Sequence, residues 1–303
     1  MNRLDDFTID FEAHREHLRA VAYRMLGSLS ESDDAVQQTW LRASQADIDE
    51  VRNLGGWLTT VLARVCLNML RARAARPEVS MGVHMPDPIV SRMEGTDPAH
   101  SDHAHSDPAH QVELADSLGL ALLVVLDRLT ADERIAFVLH DTFSVPFDEI
   151  ATILSSTPAA ARQLASRARR RVKDAPAPDR DPARQRRVVD AFFAASRDGD
   201  FDALVGLLHP DVLLRSDGGT DRPDASAMLR GAPNVAGNAA AYAVYAPLAR
   251  PALVNGMPGA VVGTRRDPVA VIAFTVNAGM IVAIDVLADP DRLRRLDHSA
   301  WFD

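Results

Sequence analysis

The side chains in this sequence best suited to binding chemistry are concentrated in one basic segment, residues 157–173. The segment contains six arginine or lysine residues and no acidic residue, although the whole chain of 303 residues has a formal net charge of −9. At 100° per residue, its charged and polar side chains fall on one face of a helix. The opposite face is apolar and consists of Ala161, Leu164, Ala165, Ala168 and Val172. A local basic face of this kind suits the binding of nucleic-acid phosphates.

The polar face of this helix also carries side chains that can distinguish bases. In the major groove, arginine hydrogen-bonds to guanine and glutamine to adenine. A preceding helix that ends near Leu154 and a Ser155-Ser156 turn complete a helix-turn-helix pattern, whose second helix enters the groove. We therefore predict DNA contacts from Arg162, Gln163, Ser166, Arg167, Arg169 and Arg170. A solvated cationic helix is the alternative, and the lack of acidic partners in the segment argues against it.

A second basic stripe lies on a helix predicted over residues 57–73. Its core face consists of Leu58, Leu62, Val65 and Met69, and its polar face of Thr60, Arg64, Asn68 and Arg71 with Trp57 and Val61 beside them. An aromatic side chain next to basic ones suits the stacking of unpaired bases. From these residues alone, an ordinary exposed basic face is the favoured interpretation of the stripe, ahead of contact with an opened strand.

Length and composition limit the classes of protein to consider. A chain of 303 residues is long enough for two domains, each with its own core. No apolar run approaches the 18 or more residues of a membrane span, and no secretory signal is legible, so a cytoplasmic protein is expected. Cys66 is the only cysteine and lies in an apolar helical segment, which favours a core position and excludes an intramolecular disulfide or a multi-cysteine zinc site.

These side chains must be positioned by two helical segments. The first helical domain spans residues 1–75, where Ser30 and Asp33 resemble a capping box. A second spans residues 112–173, with a capping box at Thr130 and Glu133 and helix N-caps at Ser144 and Thr157.

The remaining segments differ from the two helical ones in their composition and residue pattern. Residues 76–111 contain five prolines in a polar stretch and predict a flexible linker, and residues 174–182 predict a shorter one. Residues 183–303 show two helices followed by β-rich runs, which indicates an α+β domain. The predicted architecture is therefore two all-α domains followed by an α+β domain.

Two stretches of the chain carry a family resemblance. SESDDAVQQTWLRA with NLGGWLTTVLARVCLNMLRAR resembles region 2 of bacterial extracytoplasmic-function sigma factors, which belong to the sigma-70 superfamily. DRLTADERIAFVLHDTFSVPFDEIATILSSTPAAARQLASRARRRV resembles their region 4. The order and spacing of the two stretches and the missing third region are also similar to this family.

The resemblance implies partners and a role for each surface. Core RNA polymerase, through its β′ clamp helices and its β subunit, and promoter DNA are the expected macromolecular partners. The helix over residues 157–173 would read the −35 element. Docking to the β′ clamp helices is implied for Asp33, Asp34, Gln37, Gln38 and Trp40. Contact with the melting −10 element is implied for Arg52, Asn53, Trp57, Arg64, Asn68 and Arg71.

The carboxy-terminal segment resembles the SnoaL-like branch of the cone-shaped NTF2 fold, most clearly in FFAASRDGDFDALVGLLHPDVLL. Sigma factors with this extension share a WLPEP-like linker motif, a DGGG-like motif and an NPDKL-like terminus. The corresponding runs here, HMPDP, DGGT and ADPDRL, each depart from that pattern. Interdomain regulation is implied for Met85, Pro86, Asp87, Pro88, Asp217, Gly218, Gly219, Asp289, Pro290 and Asp291.

The sequence thus predicts an alternative sigma factor that is regulated in cis by its SnoaL-like domain, with no catalytic residues, cofactor or metal. One alternative is a ligand-sensing regulator that binds DNA without polymerase. Another is a SnoaL-like enzyme with a DNA anchor, for which Asp217, Asp285 or His209 would serve as acid or base. A non-catalytic ligand pocket in the C-terminal domain and metal binding by the histidines between residues 100 and 110 also stay open.

Overall fold

The structure is a computed structural model and describes residues 3–47, 51–75, 84–92, 119–173, 178–179, 181–264 and 266–296. It forms two compact units, each composed of two segments of the chain. Unit 1 consists of Met1–Glu78 and Val125–Asp174, and unit 2 of Val79–Val124 and Ala175–Asp303. Within the described residues, no helix combines the length and the apolar character that crossing a membrane would require.

Three helices form the amino-terminal part of unit 1: α1 (Arg3–Leu26), α2 (Leu29–Ala43) and α3 (Leu54–Ala74). Their apolar faces meet in a core that includes Phe11, Leu18, Met25, Leu58 and Leu62, all fully buried. These residues recur at helical spacing, so each helix has one apolar face. Packing the three helices together removes all three apolar faces from water.

The start of α2 differs from the predicted capping box. Ser28, not Ser30, is the N-cap, and its side chain accepts a hydrogen bond from the Glu31 backbone N–H. Gly27 takes a positive φ of 73° at the end of α1, so Ser28 is the residue whose extended backbone opens the next helix.

Cys66 lies on the core side of α3 and has no exposed surface. Burial raises the pKa of its thiol above the ordinary value. Because the thiolate is the reactive form of cysteine, this residue packs the core and offers no nucleophile.

The second group of helices in the chain comprises α4 (Leu120–Asp127), α5 (Ala131–Phe137), a π-helical turn (Val138–Thr142), α6 (Phe147–Leu154) and α7 (Pro158–Lys173). The capping box between Thr130 and Glu133 is present with both reciprocal hydrogen bonds. Thr157 caps α7 through the Ala160 N–H, as predicted. The Ser144 prediction is wrong: Ser144 has a φ of 55°, and Pro146 precedes α6 without a side-chain cap.

Unit 2 contains the α+β domain that the sequence predicts. Its helices are α8 (Pro182–Asp198), α9 (Phe201–Leu207), α10 (Ala232–Ala241) and α11 (Pro290–Arg295). Its strands are β1 (Val90–Ser91), β2 (Leu208–Asp217), β3 (Ala227–Arg230), β4 (Ala249–Val254), β5 (Met257–Gly263), β6 (Pro268–Asn277) and β7 (Met280–Leu287).

These strands form one sheet in the order β1-β4-β5-β6-β7-β2-β3. The β2–β7 pair is parallel, and every other neighbouring pair is antiparallel. One face of the sheet packs on α8, α9 and α10 around Phe192, Leu204, Val235, Phe274 and Ile284. Val212 and Leu214 of β2, and Phe274 and Val276 of β6, recur at a spacing of two residues, which places each pair on one face of its strand.

Part of the segment predicted as a flexible linker is built into this sheet. Val90 pairs with Val254 on β4, so residues 90 and 91 form an edge strand. Ile89 and Asn255 also exchange two hydrogen bonds, at 3.1 Å and 2.7 Å. The proline pattern indicated a linker because proline breaks helices, but an extended, proline-containing chain can add to a sheet edge. Residues 84–92 therefore belong structurally to unit 2.

Candidate nucleic-acid interface

Helix α7 presents one apolar and one basic face. Ala161, Ala165 and Ala168 are fully buried against the rest of unit 1. The six side chains predicted to contact DNA are all exposed: Arg162, Gln163, Ser166, Arg167, Arg169 and Arg170. Ser155 ends α6 in the left-handed conformation, and Thr157 opens α7 two residues later, which forms the short turn of a helix-turn-helix.

Residues outside α7 hold three of its arginines. The Arg169 Nε donates to Asp141 Oδ1 at 2.6 Å, and the Arg171 Nη1 donates to Glu133 Oε2 at 2.7 Å. The guanidinium of Arg162 lies over the ring of Phe147, 5.5 Å from its centroid. The helix segment lacks acidic residues of its own, but the tertiary structure supplies two carboxylates from α5 and the π-helical turn. The absence of acidic partners therefore holds for the sequence segment and not for the folded helix.

The predicted second basic stripe lies on α3. Arg64, Asn68 and Arg71 are exposed, and Trp57 is half-buried beside them. Arg52 and Asn53 lie at the start of the helix and are exposed, and Asn53 caps α3 by accepting a hydrogen bond from the Gly56 N–H at 3.0 Å. Asn53 is therefore the N-cap of α3, and its contact with the −10 element stays a prediction.

The carboxyl end of α3 is joined to the second helical segment by ion pairs. Arg71 donates from Nε and Nη2 to Asp132 Oδ1, at 3.2 Å and 2.8 Å. Asp127 accepts from the buried Arg134 at 3.0 Å and lies 3.9 Å from Arg73. Burial lowers the pKa of the Arg134 guanidinium, and the neighbouring Asp127 carboxylate opposes that change. The guanidinium of Arg71 is thus paired with the carboxylate of Asp132.

The surface predicted to dock polymerase lies on α2. Asp33, Asp34 and Gln37 are exposed, while Gln38 and Trp40 are half-buried. Asp33 forms an ion pair of 2.7 Å with Arg19 of α1. The other face of α2 is buried in the core of unit 1, so its polar residues are turned away from that core.

In unit 2, the three motif segments of the predicted regulatory set meet at Arg292. Its Nη1 donates to Asp217 Oδ2 at 2.7 Å, and its Nε donates to Asp87 Oδ1 at 2.8 Å. Its Nη2 donates to the Met85 carbonyl oxygen at 2.5 Å, and the Met85 N–H donates to Asp217 Oδ2 at 3.0 Å. We call Asp87, Asp217 and Arg292 the linker clasp.

The Asp-Gly-Gly turn and the start of α11 shape the clasp. Gly219 has a φ of 68°, and a Cβ there would lie 2.3 Å from Asp289 Oδ2, so no larger residue fits. Asp289 caps α11 by accepting from the Asp291 and Arg292 N–H groups, with Pro290 at the first helical position. The cap fixes the first turn of α11 and with it the direction of Arg292.

Sequence reasoning missed Arg292 as the central residue of this cluster. The signal was available, since Arg292 is the basic residue that follows two aspartates in ADPDRL, while the other two motifs contribute aspartates. His84 stands where the linker motif of the family has tryptophan, and the linker segment still contacts Asp217 and Arg292. His84 Nδ1 lies 3.9 Å from Asp217 Oδ2.

The side chains considered as an acid or base are engaged in structural contacts. Asp285 accepts from Arg215 at 2.6 Å and 3.0 Å in a buried pair, and Asp217 is held in the clasp. His209 Nδ1 accepts from the Asp211 N–H. The histidines between residues 100 and 110 lie outside the described residues, and no group of metal-ligating side chains occurs among those that are described.

Two family models match the helical segments. Residues 11–76 match Sigma-70 region 2, and residues 119–172 match Sigma-70, region 4. The chain is 40% identical over 298 residues to an ECF RNA polymerase sigma factor, SigJ, of Mycobacterium tuberculosis, covering 93% of this chain and 92% of that protein.

It is 32% identical over 304 residues to SigI of the same organism, described as a probable ECF RNA polymerase sigma factor, with 97% of both chains covered. The crystal structure of Mycobacterium tuberculosis SigJ matches with a TM-score of 0.74 at 36% identity. That match covers 95% of this chain and 98% of the SigJ chain.

Proposed function

This chain belongs to the extracytoplasmic-function family of RNA polymerase sigma factors. From that premise we propose which of its surfaces binds each promoter element and which binds polymerase. It is an alternative sigma factor that directs transcription, with two helical sigma domains and a C-terminal α+β domain. Helix α7 reads the −35 element in the major groove. The exposed face with Arg162, Gln163 and Arg169 is the observation that carries this assignment.

The first helical domain engages polymerase and the opened DNA strand. The exposed polar face of α2 docks on the β′ clamp helices, and the second helical domain contacts the β subunit. Arg64, Asn68 and Arg71 on α3, with Trp57, hold the phosphates and unstacked bases of the −10 element. The chain works in the cytoplasm, where its polymerase and promoters are found.

The C-terminal domain regulates this activity in cis. The linker clasp ties residues 85–87, which connect the two sigma domains, to Asp217 and Arg292 of the C-terminal domain. The clasp therefore couples the segment between the two sigma domains to the C-terminal domain. We propose no catalytic role for this domain, in which Asp217 and Asp285 form ion pairs with arginine.

Reconstitution with core RNA polymerase tests the proposal. The purified chain added to core enzyme is expected to give promoter-specific initiation and to be retained by core enzyme in a pull-down. A regulator that acts without polymerase would instead bind promoter DNA in the absence of core enzyme. It would not enable core enzyme to initiate transcription at the promoter. The same assay on a chain lacking residues 183–303 tests regulation in cis, and unchanged output would contradict it.

Asp132 is expected to compete with promoter DNA for Arg71. The pair is about half exposed, with side-chain exposures of 50% and 38%, so breaking it costs at most about 1 kcal/mol of stability. Asp132→Asn frees Arg71 and should tighten holoenzyme binding to a fork-junction promoter by up to about 5-fold, most clearly at low salt. Equilibrium binding by fluorescence anisotropy measures this.

Asp148→Asn is the matched control, since it removes the same charge from an exposed position on α6. Equal tightening by both variants would show a general effect of net charge and contradict the specific role of Asp132.

A further inference from the structure

The π-helical turn at Val138–Thr142 places two consecutive residues beside the basic face of α7. His140 stacks on Phe147 with ring centroids 3.9 Å apart, and Phe147 in turn contacts Arg162. Asp141, the next residue, accepts the 2.6 Å hydrogen bond from Arg169 Nε. π-helical turns occur often at functional sites, because the extra residue changes which side chains face a neighbour.

The two arginines served by this turn are seven residues apart on α7 and therefore lie on the same face. Each is held by a side chain from outside the helix, Arg162 by a ring and Arg169 by a carboxylate. An unsupported arginine loses side-chain rotamer entropy when it is fixed. Holding the side chain before DNA binds removes part of that cost from the binding step.

The Arg169 atom that hydrogen-bonds to Asp141 determines which N–H donors of Arg169 are left to contact DNA. A guanidinium has five N–H donors in a planar fork, and Asp141 uses only the Nε donor. Among the described residues, the two Nη groups form no other hydrogen bond, and they present an end-on pair of donors that matches the O6 and N7 acceptors of guanine. The Asp141 carboxylate also repels phosphates, so the pair disfavours binding of Arg169 to the DNA backbone.

We infer that Asp141 is a specificity-determining positioning residue, which presents Arg169 to a guanine of the −35 element and away from the phosphates. This inference rests on the proposed reading of the −35 element by α7 and names a residue outside the recognition helix that controls it. Asp141 lowers affinity for DNA in general and raises discrimination at one base pair.

The test compares holoenzymes on a set of promoters that carries every single-base substitution in the −35 element. The sigma variants are Asp141→Asn, Arg169→Ala, the double variant and Asp148→Asn as the charge-matched control. We expect Asp141→Asn to lose about 5- to 20-fold discrimination at the same base pair that Arg169→Ala affects, and to bind non-promoter DNA more tightly. The double variant should resemble Arg169→Ala alone.

Two results would overturn the inference. One is unchanged discrimination by Asp141→Asn where Arg169→Ala loses it, which leaves −35 reading by α7 intact. The other is an unchanged pattern with Arg169→Ala itself, which also contradicts the assigned role of that arginine. Discrimination is a ratio between promoters for one protein sample, so a variant with a smaller folded fraction gives the same ratio and cannot imitate the expected result.

Discussion

Replacing Arg292 with alanine is expected to release residues 84–92 from the C-terminal domain and to change promoter output. Arg292 is the cation that both Asp87 and Asp217 share, and its side chain is only 15% exposed. Removing one partner of a buried ion pair costs roughly 3–5 kcal/mol, because the remaining charges are left uncompensated. Arg292 keeps some exposure, so we expect the lower end, about 3 kcal/mol.

Hydrogen exchange followed by mass spectrometry measures this loss locally. The amides of residues 84–92 should exchange about 100-fold faster in Arg292→Ala, as expected for a local loss of that size. Transcription from the cognate promoter by reconstituted holoenzyme gives the functional readout.

Arg294→Ala is the matched control, two residues away on the same helix. Arg294 pairs with Asp291, but both side chains are more than half exposed, at 66% and 53%. Such a surface pair contributes at most about 1 kcal/mol. If both variants left exchange of residues 84–92 unchanged, the clasp would not hold the linker and regulation through it would be excluded.

Arg162→Ala is expected to cause a large loss of promoter selection. A bidentate arginine–guanine contact supplies about 1–3 kcal/mol of discrimination, so the preference for the correct base at one position should fall by about 5- to 150-fold. Arg162 is exposed, so the fold and the thermal unfolding midpoint should change little. Transcription from single-base −35 variants measures the preference.

The pattern of loss separates base reading from phosphate contact. Loss at one base pair with an unchanged salt dependence supports base reading. Uniform weakening across all promoters, with a salt slope reduced by about 1, would assign Arg162 to the backbone instead. Arg197→Ala removes an equal charge from the exposed end of α8 and controls for net charge.

The carboxylates beside the basic surfaces give these two results a common physical basis. Asp132, Glu133 and Asp141 form ion pairs with Arg71, Arg171 and Arg169, and we expect these pairs to reduce non-specific binding of DNA phosphates. Together with the net charge of −9, they favour weak binding to DNA in general and leave selection to contacts that form in the polymerase complex. Specificity is then set by which arginine donors remain free.

Local patterns were sufficient to predict the two helical domains and the faces of their helices. The spacing of Ala161, Ala165 and Ala168 predicted the buried side of α7, because a helix must bury its apolar stripe. The capping residues Thr130 and Thr157 were predictable for a similar reason, since their hydrogen bonds join residues three apart. The predictions failed at Ser30 and Ser144, where Gly27 and Ser144 take positive φ values that shift the helix starts.

The partners of the arginines depended on the tertiary structure. Asp141 is 28 residues from Arg169, Asp132 is 61 from Arg71, and Asp87 is 205 from Arg292. No periodicity relates residues so far apart, and their pairing exists only once the helices and the sheet have packed. Helical periodicity thus predicted which arginines of the 157–173 helix face outward, whereas chain folding decided which of their donors are already occupied.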